Sequence, residues 1–142
     1  MANITATLRD GFAVVMSNGR HEWKGDEPVE LGGSDTGPNP YELLLGSLAA
    51  CTCITLAMYC KRKGLSLESV STSYEFAHVH AEDCTHCDEA DKGLIEQIST
   101  NVHIVGDFDE AQRRRLTQIS QRCPVHKTLA HGVKFDDHAT FG

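Results

Sequence analysis

Cys51 sits inside a long apolar stretch, Leu48-Ala49-Ala50-Cys51-Thr52-Cys53, and Cys123 opens the distant segment Cys123-Pro124-Val125-His126. Two thiols placed this way suggest a redox pair. A cysteine acts as a nucleophile only as thiolate, so a reactive position needs local positive potential or a nearby cation. With Pro124 at the first turn of a helix, Cys123 would take the cap, where free backbone N–H groups and the helix dipole favour the anion. A small buried residue at an irregular join describes Cys123 equally well. Cys51 lies mid-helix, where the dipole offers little, and its local sequence reads as a buried apolar side chain. Cys53 and Cys60 share a helix face and read as core. His126 could assist Cys123, although a plain surface histidine fits it better.

A second constellation gathers His78, His80, Cys84, His86 and Cys87. His78 and His80 point to one side of a strand. The two-residue spacing of Cys84 and Cys87 lets both sulfurs reach one tetrahedral metal, so a zinc site built on His80, Cys84 and Cys87 is one expectation. A site shared across a dimer, a dithiol switch and an exposed reduced pair are the others. Arg113-Arg114-Arg115 reads as a solvated face, since consecutive helical residues point in three directions. Glu42 could serve as a general base, but its place in a helix cap gives it a structural role.

The elements that must position these groups follow from the same sequence. Strands are expected at residues 4–8, 12–16 and 20–23, with Asp10-Gly11 and Asn18-Gly19 as the turns between them. Residues 26–40 are rich in Gly, Pro, Ser, Asp and Asn and form a loop. Asn39, Pro40 and Glu42 write a helix start, and Gly64 after Lys61-Arg62-Lys63 writes its end. Residues 67–81 and 94–105 read as strands flanking an acidic, cysteine-containing excursion. Asp109 with Gln112 opens a second helix that ends near Arg122, a third begins at Pro124, and residues 133–135 would supply a last strand.

The chain has 142 residues, enough for one domain with a real core, and we expect a single domain over 1–142. A formal charge of -7 repels phosphate backbones and anionic lipid, which argues against nucleic acid or a membrane as partner. Residues 43–60 carry no charge and approach the length of a spanning helix. Gly46, Ser47, Thr52 and Thr55 within them, and the basic turn that closes them, favour a central buried helix instead. Met1 leads into no basic and apolar leader pattern, so a cytoplasmic protein is expected. There the six cysteines should be thiols, metal ligands or catalytic groups rather than a disulfide framework.

Taken together, Asn39-Pro40-Tyr41-Glu42-Leu43-Leu44, Ala49-Ala50-Cys51 and Arg122-Cys123-Pro124-Val125 resemble the OsmC/Ohr family of thiol-dependent hydroperoxide reductases, in a divergent OsmC-like branch. The resemblance implies an α+β fold, with curved antiparallel sheets around a long central helix in an intertwined homodimer. It implies that Cys51 is the peroxidatic thiolate that reduces an organic hydroperoxide to the alcohol, and that Cys123 resolves it as a disulfide. It also implies a dithiol or lipoylated protein as reductant, with no cofactor required. In hydroperoxide-reducing members the residue after Asn-Pro is a glutamate that helps hold an arginine over the sulfur. Here that position is Tyr41, and Glu42 lies one place on, about 100° round the helix. Arg9 and Arg20 are the early arginines that could stand for the family's arginine. The alternative is a non-catalytic binding or redox- or metal-sensing protein that uses the Cys84-x-x-Cys87 region.

Overall fold

The computed structural model describes residues 1–84, 87–88 and 90–142. Its elements are β1 (Thr5–Leu8), β2 (Val14–Ser17), β3 (Glu22–Gly25), α1 (Pro40–Lys63), β4 (Leu67–His80), β5 (Leu94–Gly106), α2 (Glu110–Ser120) and α3 (Pro124–His131). The chain divides into two compact units, Met1–Gly46 with Phe76–Gln97, and Ser47–Glu75 with Ile98–Gly142. The divisions fall within α1, β4 and β5.

In the first unit β1, β2 and β3 form an antiparallel meander, with Leu8 opposite Val14 and Val14 opposite Gly25. The second turn is held by Asn18, whose side-chain oxygen accepts from the amides of Arg20 (3.0 Å) and His21 (2.7 Å), with Gly19 at φ +89°. A buried carboxylate organises the loop that follows. Asp26 accepts from the amides of Glu27 (2.8 Å) and Thr36 (3.1 Å) and from the Thr36 hydroxyl (2.6 Å). These bonds, led by the Thr36 hydroxyl, outweigh burial and bring its pKa from an ordinary 3.8 down to about 2. Gly33 lies so close to the Glu27 carbonyl that any Cβ there would collide with it.

The loop delivers the chain to α1, whose start is a reciprocal capping box. Asn39 Oδ1 accepts from the Glu42 amide at 2.9 Å, and Glu42 Oε2 accepts from the Asn39 amide at 2.8 Å. The end is a Schellman motif. Gly64, at φ +67°, donates to Lys61 O, and Leu65 donates to Cys60 O.

The second unit contains a hydrophobic core of Leu56, Tyr59 and Cys60 from α1 with Phe108, Leu116 and Ile119 around α2. Leu65, Leu67, Val70, Val102 and Ile104 pack against it. Helix α2 carries its own capping box between Asp109 and Gln112. Arg62 and Arg115 lie over the Tyr59 ring at 5.6 and 6.0 Å, and Arg114 meets Glu110 one turn away. The arginine run is thus an exposed face, as its sequence suggests.

Two expectations are corrected. The central buried helix expected over 43–60 is buried only in part: Leu48, Thr52, Leu56, Tyr59 and Cys60 are buried because that side meets the core, whereas Ile54 and Met58 on another side are 57% and 66% exposed. By length and composition α1 is apolar enough to cross a membrane, with a mean hydropathy of 1.9 over its most apolar stretch. The strand expected at 133–135 does not form. Val133 and Phe135 are exposed, and among the described residues no strand lies beside them to pair with.

Candidate functional site

Cys51 and Cys123 are 72 positions apart in sequence and lie in the same unit, where their side chains interact. Cys51 sits midway along α1 and is half-buried; Cys123 is wholly buried at the N-terminal cap of α3. Both sulfurs are free thiols.

The cap position of Cys123 is as the sequence suggests, but its electrostatic outcome is reversed. Burial is the main cause pushing its pKa up, and the hydrogen bond to Cys51 and the charge on that sulfur push the same way. The amides of His126 and Val125 favour the anion, and they are outweighed. No full cap hydrogen bond to the side chain is formed. Cys123 therefore favours its protonated form. The helix dipole fails to ionise this thiol because desolvation of a fully enclosed sulfur costs more than two partial charges return.

The α1 turn that carries Cys51 is fixed from β4. The Tyr74 hydroxyl lies 2.7 Å from the buried Thr52 hydroxyl and donates to Leu48 O at 3.5 Å. Thr52 is next to Cys51, and Leu48 is one turn before it. Sequence reading did not single out Tyr74, because a tyrosine in an alternating strand looks the same whether or not its hydroxyl is used. A cavity of about 310 Å³ flanks the join between α2 and α3, with Tyr74, Thr117, Ser120, Gln121 and His126 in its wall.

The four supporting candidates all belong to the other unit. Tyr41 stacks on Phe76 with ring centroids 4.5 Å apart. Glu42 is engaged in the capping box. Arg9 lines an open cavity of about 510 Å³ on the meander with Thr7, Asp10 and Glu22, and Arg20 is exposed at the second turn.

The zinc expectation at His80, Cys84 and Cys87 is corrected. Cys84 and Cys87 are joined to each other as a disulfide, and in that state neither offers a thiolate to a metal. Among the described residues no three His, Cys, Asp or Glu side chains are grouped to hold a metal ion. His78 is drawn instead to Glu96 at 3.8 Å, and His86 lies outside the described residues.

The family model described as OsmC-like protein matches residues 32–136. An OsmC-like protein from Mycoplasma pneumoniae superposes with a TM-score of 0.67 at 22% identity, over 92% of this chain and 87% of that one. An organic hydroperoxide resistance protein OsmC from Legionella pneumophila gives 0.62 at 22% identity, over 91% and 88%. The organic hydroperoxide resistance protein OhrB of Bacillus subtilis gives 0.58 at 21% identity, over 89% and 88%. At these identities the likeness establishes the fold: α+β, with one long helix and antiparallel sheets. The uncharacterized protein YmaD of Bacillus subtilis is 44% identical over 48 residues, which is 34% of this chain and 32% of that protein.

Proposed function

The chain belongs to the OsmC-like protein family, and from that membership and its paired thiols we propose that it reduces organic hydroperoxides to alcohols, with Cys51 as peroxidatic and Cys123 as resolving cysteine. A redox or peroxide-resistance role is the coarser reading that the family supports. One observation carries the finer one: a wholly buried free thiol and a half-buried free thiol from remote parts of the sequence interact within one compact unit.

The chemistry balances without a cofactor. The Cys51 thiolate attacks the terminal oxygen of ROOH, the O–O bond breaks, and the alkoxide leaves with a proton as ROH; Cys51 is left as sulfenic acid. The Cys123 sulfur then attacks the Cys51 sulfur, and its proton departs with the hydroxyl as water. A dithiol, small or lipoylated, returns two electrons and two protons to the Cys51–Cys123 disulfide by exchange. The high proton affinity of Cys123 suits this order. It keeps the resolving sulfur unreactive towards peroxide until the sulfenic acid has formed beside it. The organic group of the substrate would occupy the cavity lined by Tyr74 and His126.

The reading includes a homodimer, because the exposed Ile54 and Met58 give α1 an apolar side that a second copy would cover. It also includes a cytoplasmic location, where dithiol reductants are available. The test is dithiol-dependent consumption of cumene hydroperoxide and hydrogen peroxide by wild type and Cys51→Ser protein. Catalytic turnover that prefers the organic peroxide and vanishes in Cys51→Ser supports the reading. Turnover that survives Cys51→Ser refutes it.

A further inference from the structure

The second cysteine pair stands apart from this chemistry. Cys84 and Cys87 are bonded three residues apart, with Cα atoms 5.5 Å from each other, at the end of the β4–β5 hairpin. Both belong to the first unit, and both are half-buried. A disulfide that closes so short a loop removes little freedom from the unfolded chain, so it contributes less to stability than one closing a long loop.

The hairpin is also closed without it. The Ala81 amide donates to Gly93 O at 2.8 Å, across the base of the excursion. Asp88 and Asp91 make a turn of their own: the Asp91 amide donates to Asp88 O, and the Asp88 amide donates to Asp91 Oδ2 at 3.0 Å. The base of the excursion keeps its backbone hydrogen bonds whether or not the disulfide is closed, and neither cysteine is fully enclosed, so the bond can open without loss of the hairpin base. Among the described residues the excursion is acidic, since Glu82, Asp83, Asp88 and Asp91 are exposed on it against one exposed lysine, Lys92.

We propose that Cys84 and Cys87 are a second redox site, one that accepts two electrons from a neutral or cationic dithiol independently of Cys51 and Cys123. A donor thiolate attacks one of the two sulfurs, the Cys84–Cys87 bond breaks, and a mixed disulfide forms. The donor's second thiolate then attacks the mixed disulfide. The donor leaves as its own disulfide, and Cys84 and Cys87 keep the two electrons and two protons as thiols. The reverse reaction restores the bond, because the leaving sulfur stays within reach of its partner. The carboxylates repel an anionic thiol on approach and tolerate a neutral or cationic one.

The experiment uses the full chain carrying Cys51→Ser and Cys123→Ser, equilibrated with reduced and oxidised dithiothreitol in graded ratio, quenched by alkylation and mapped by mass spectrometry. The expected result is one reversible two-electron step in the folded protein, located at Cys84 and Cys87 and absent when Cys84→Ala and Cys87→Ala are added. A pair that stays alkylatable in fully oxidised dithiol, or a disulfide that opens only in denaturant, overturns the proposal. So does a step that persists after the alanine substitutions. Site-by-site isotope-coded alkylation of wild type gives the same reading if the serine variant does not fold. The charge selectivity is read from the first attack by cysteamine and by 3-mercaptopropionate at equal thiolate concentration. Cysteamine should be at least about threefold faster at low salt, with the ratio falling towards one at high salt. Equal rates at low salt overturn that part of the proposal.

Discussion

Two cysteine pairs in one chain have opposite fates. Cys51 and Cys123 meet as free thiols, one of them wholly enclosed, whereas Cys84 and Cys87 are half-buried on an acidic hairpin and already bonded. The first pair comes together through tertiary structure, so its sulfurs can be held in a chosen protonation state. The second is joined by local sequence, so its state follows the thiols in solution. The contrast teaches that enclosure and charge, rather than spacing, decide what a pair of cysteines does.

The largest expected effect separates the two pairs chemically. In Cys123→Ser protein, Cys51 should still react with an organic hydroperoxide and then stop as sulfenic acid. Dimedone labelling should be near stoichiometric, and turnover with dithiol should fall at least roughly tenfold. Wild-type turnover in this variant would mean that a thiol other than Cys123, in the chain or in the added dithiol, resolves Cys51, and the resolving role of Cys123 would fall.

The next effect is on stability. Leu116 is 1% exposed in the core that backs α1, and Leu116→Ala should cost about 3 kcal/mol in urea unfolding. Alkylation of Cys60 and Cys123 in native buffer should speed up in the same variant, while the reduction rate of the Cys84–Cys87 bond stays as it was. A smaller loss, about 1 kcal/mol, is expected for Tyr74→Phe, which removes the hydroxyl between Thr52 and Leu48. If that hydroxyl fixes the turn that carries Cys51, sulfenic acid in the variant should also be longer-lived before the disulfide forms.

These groups were unequally legible in the sequence. The ends of α1 could be read at Asn39, Glu42 and Gly64 because caps are local: each hydrogen bond joins residues a few places apart. The strand expected at 133–135 could not be judged locally, because a strand exists only where another edge accepts its backbone. Residues 43–60 carry no charge to mark an outer face, and which side of α1 meets the core is set by residues far along the chain, such as Phe108 and Leu116. Cys84 and Cys87 have the same spacing whether they ligate zinc or bond to each other, so sequence left both open. The contexts of Cys51 and Cys123 suggest a redox pair, but their nearness is set by tertiary structure rather than by spacing, and the roles of the two sulfurs follow only from the family resemblance.

The smallest effects should appear as pH dependence, and the two units should respond from opposite sides. Burial raises the pKa of Cys60 and Cys123 in the folded state. Their contribution to stability is therefore complete below the ordinary thiol range and is lost as pH rises through the raised values. Asp26 behaves in the opposite sense. Its folded pKa is depressed to about 2, so its contribution is complete above 3.8 and is lost as pH falls towards 2. Thermal melts across pH should show the alkaline loss diminished in Cys60→Ala protein and the acid loss diminished in Asp26→Asn protein.

The most direct test of the central claim is to add one equivalent of cumene hydroperoxide to fully reduced protein and map the new cross-link by mass spectrometry without reductant. The account predicts a Cys51–Cys123 disulfide, with cumyl alcohol released in equal amount. A protein that leaves the peroxide intact, or whose first new bond joins other cysteines while Cys51 and Cys123 remain alkylatable, would contradict it.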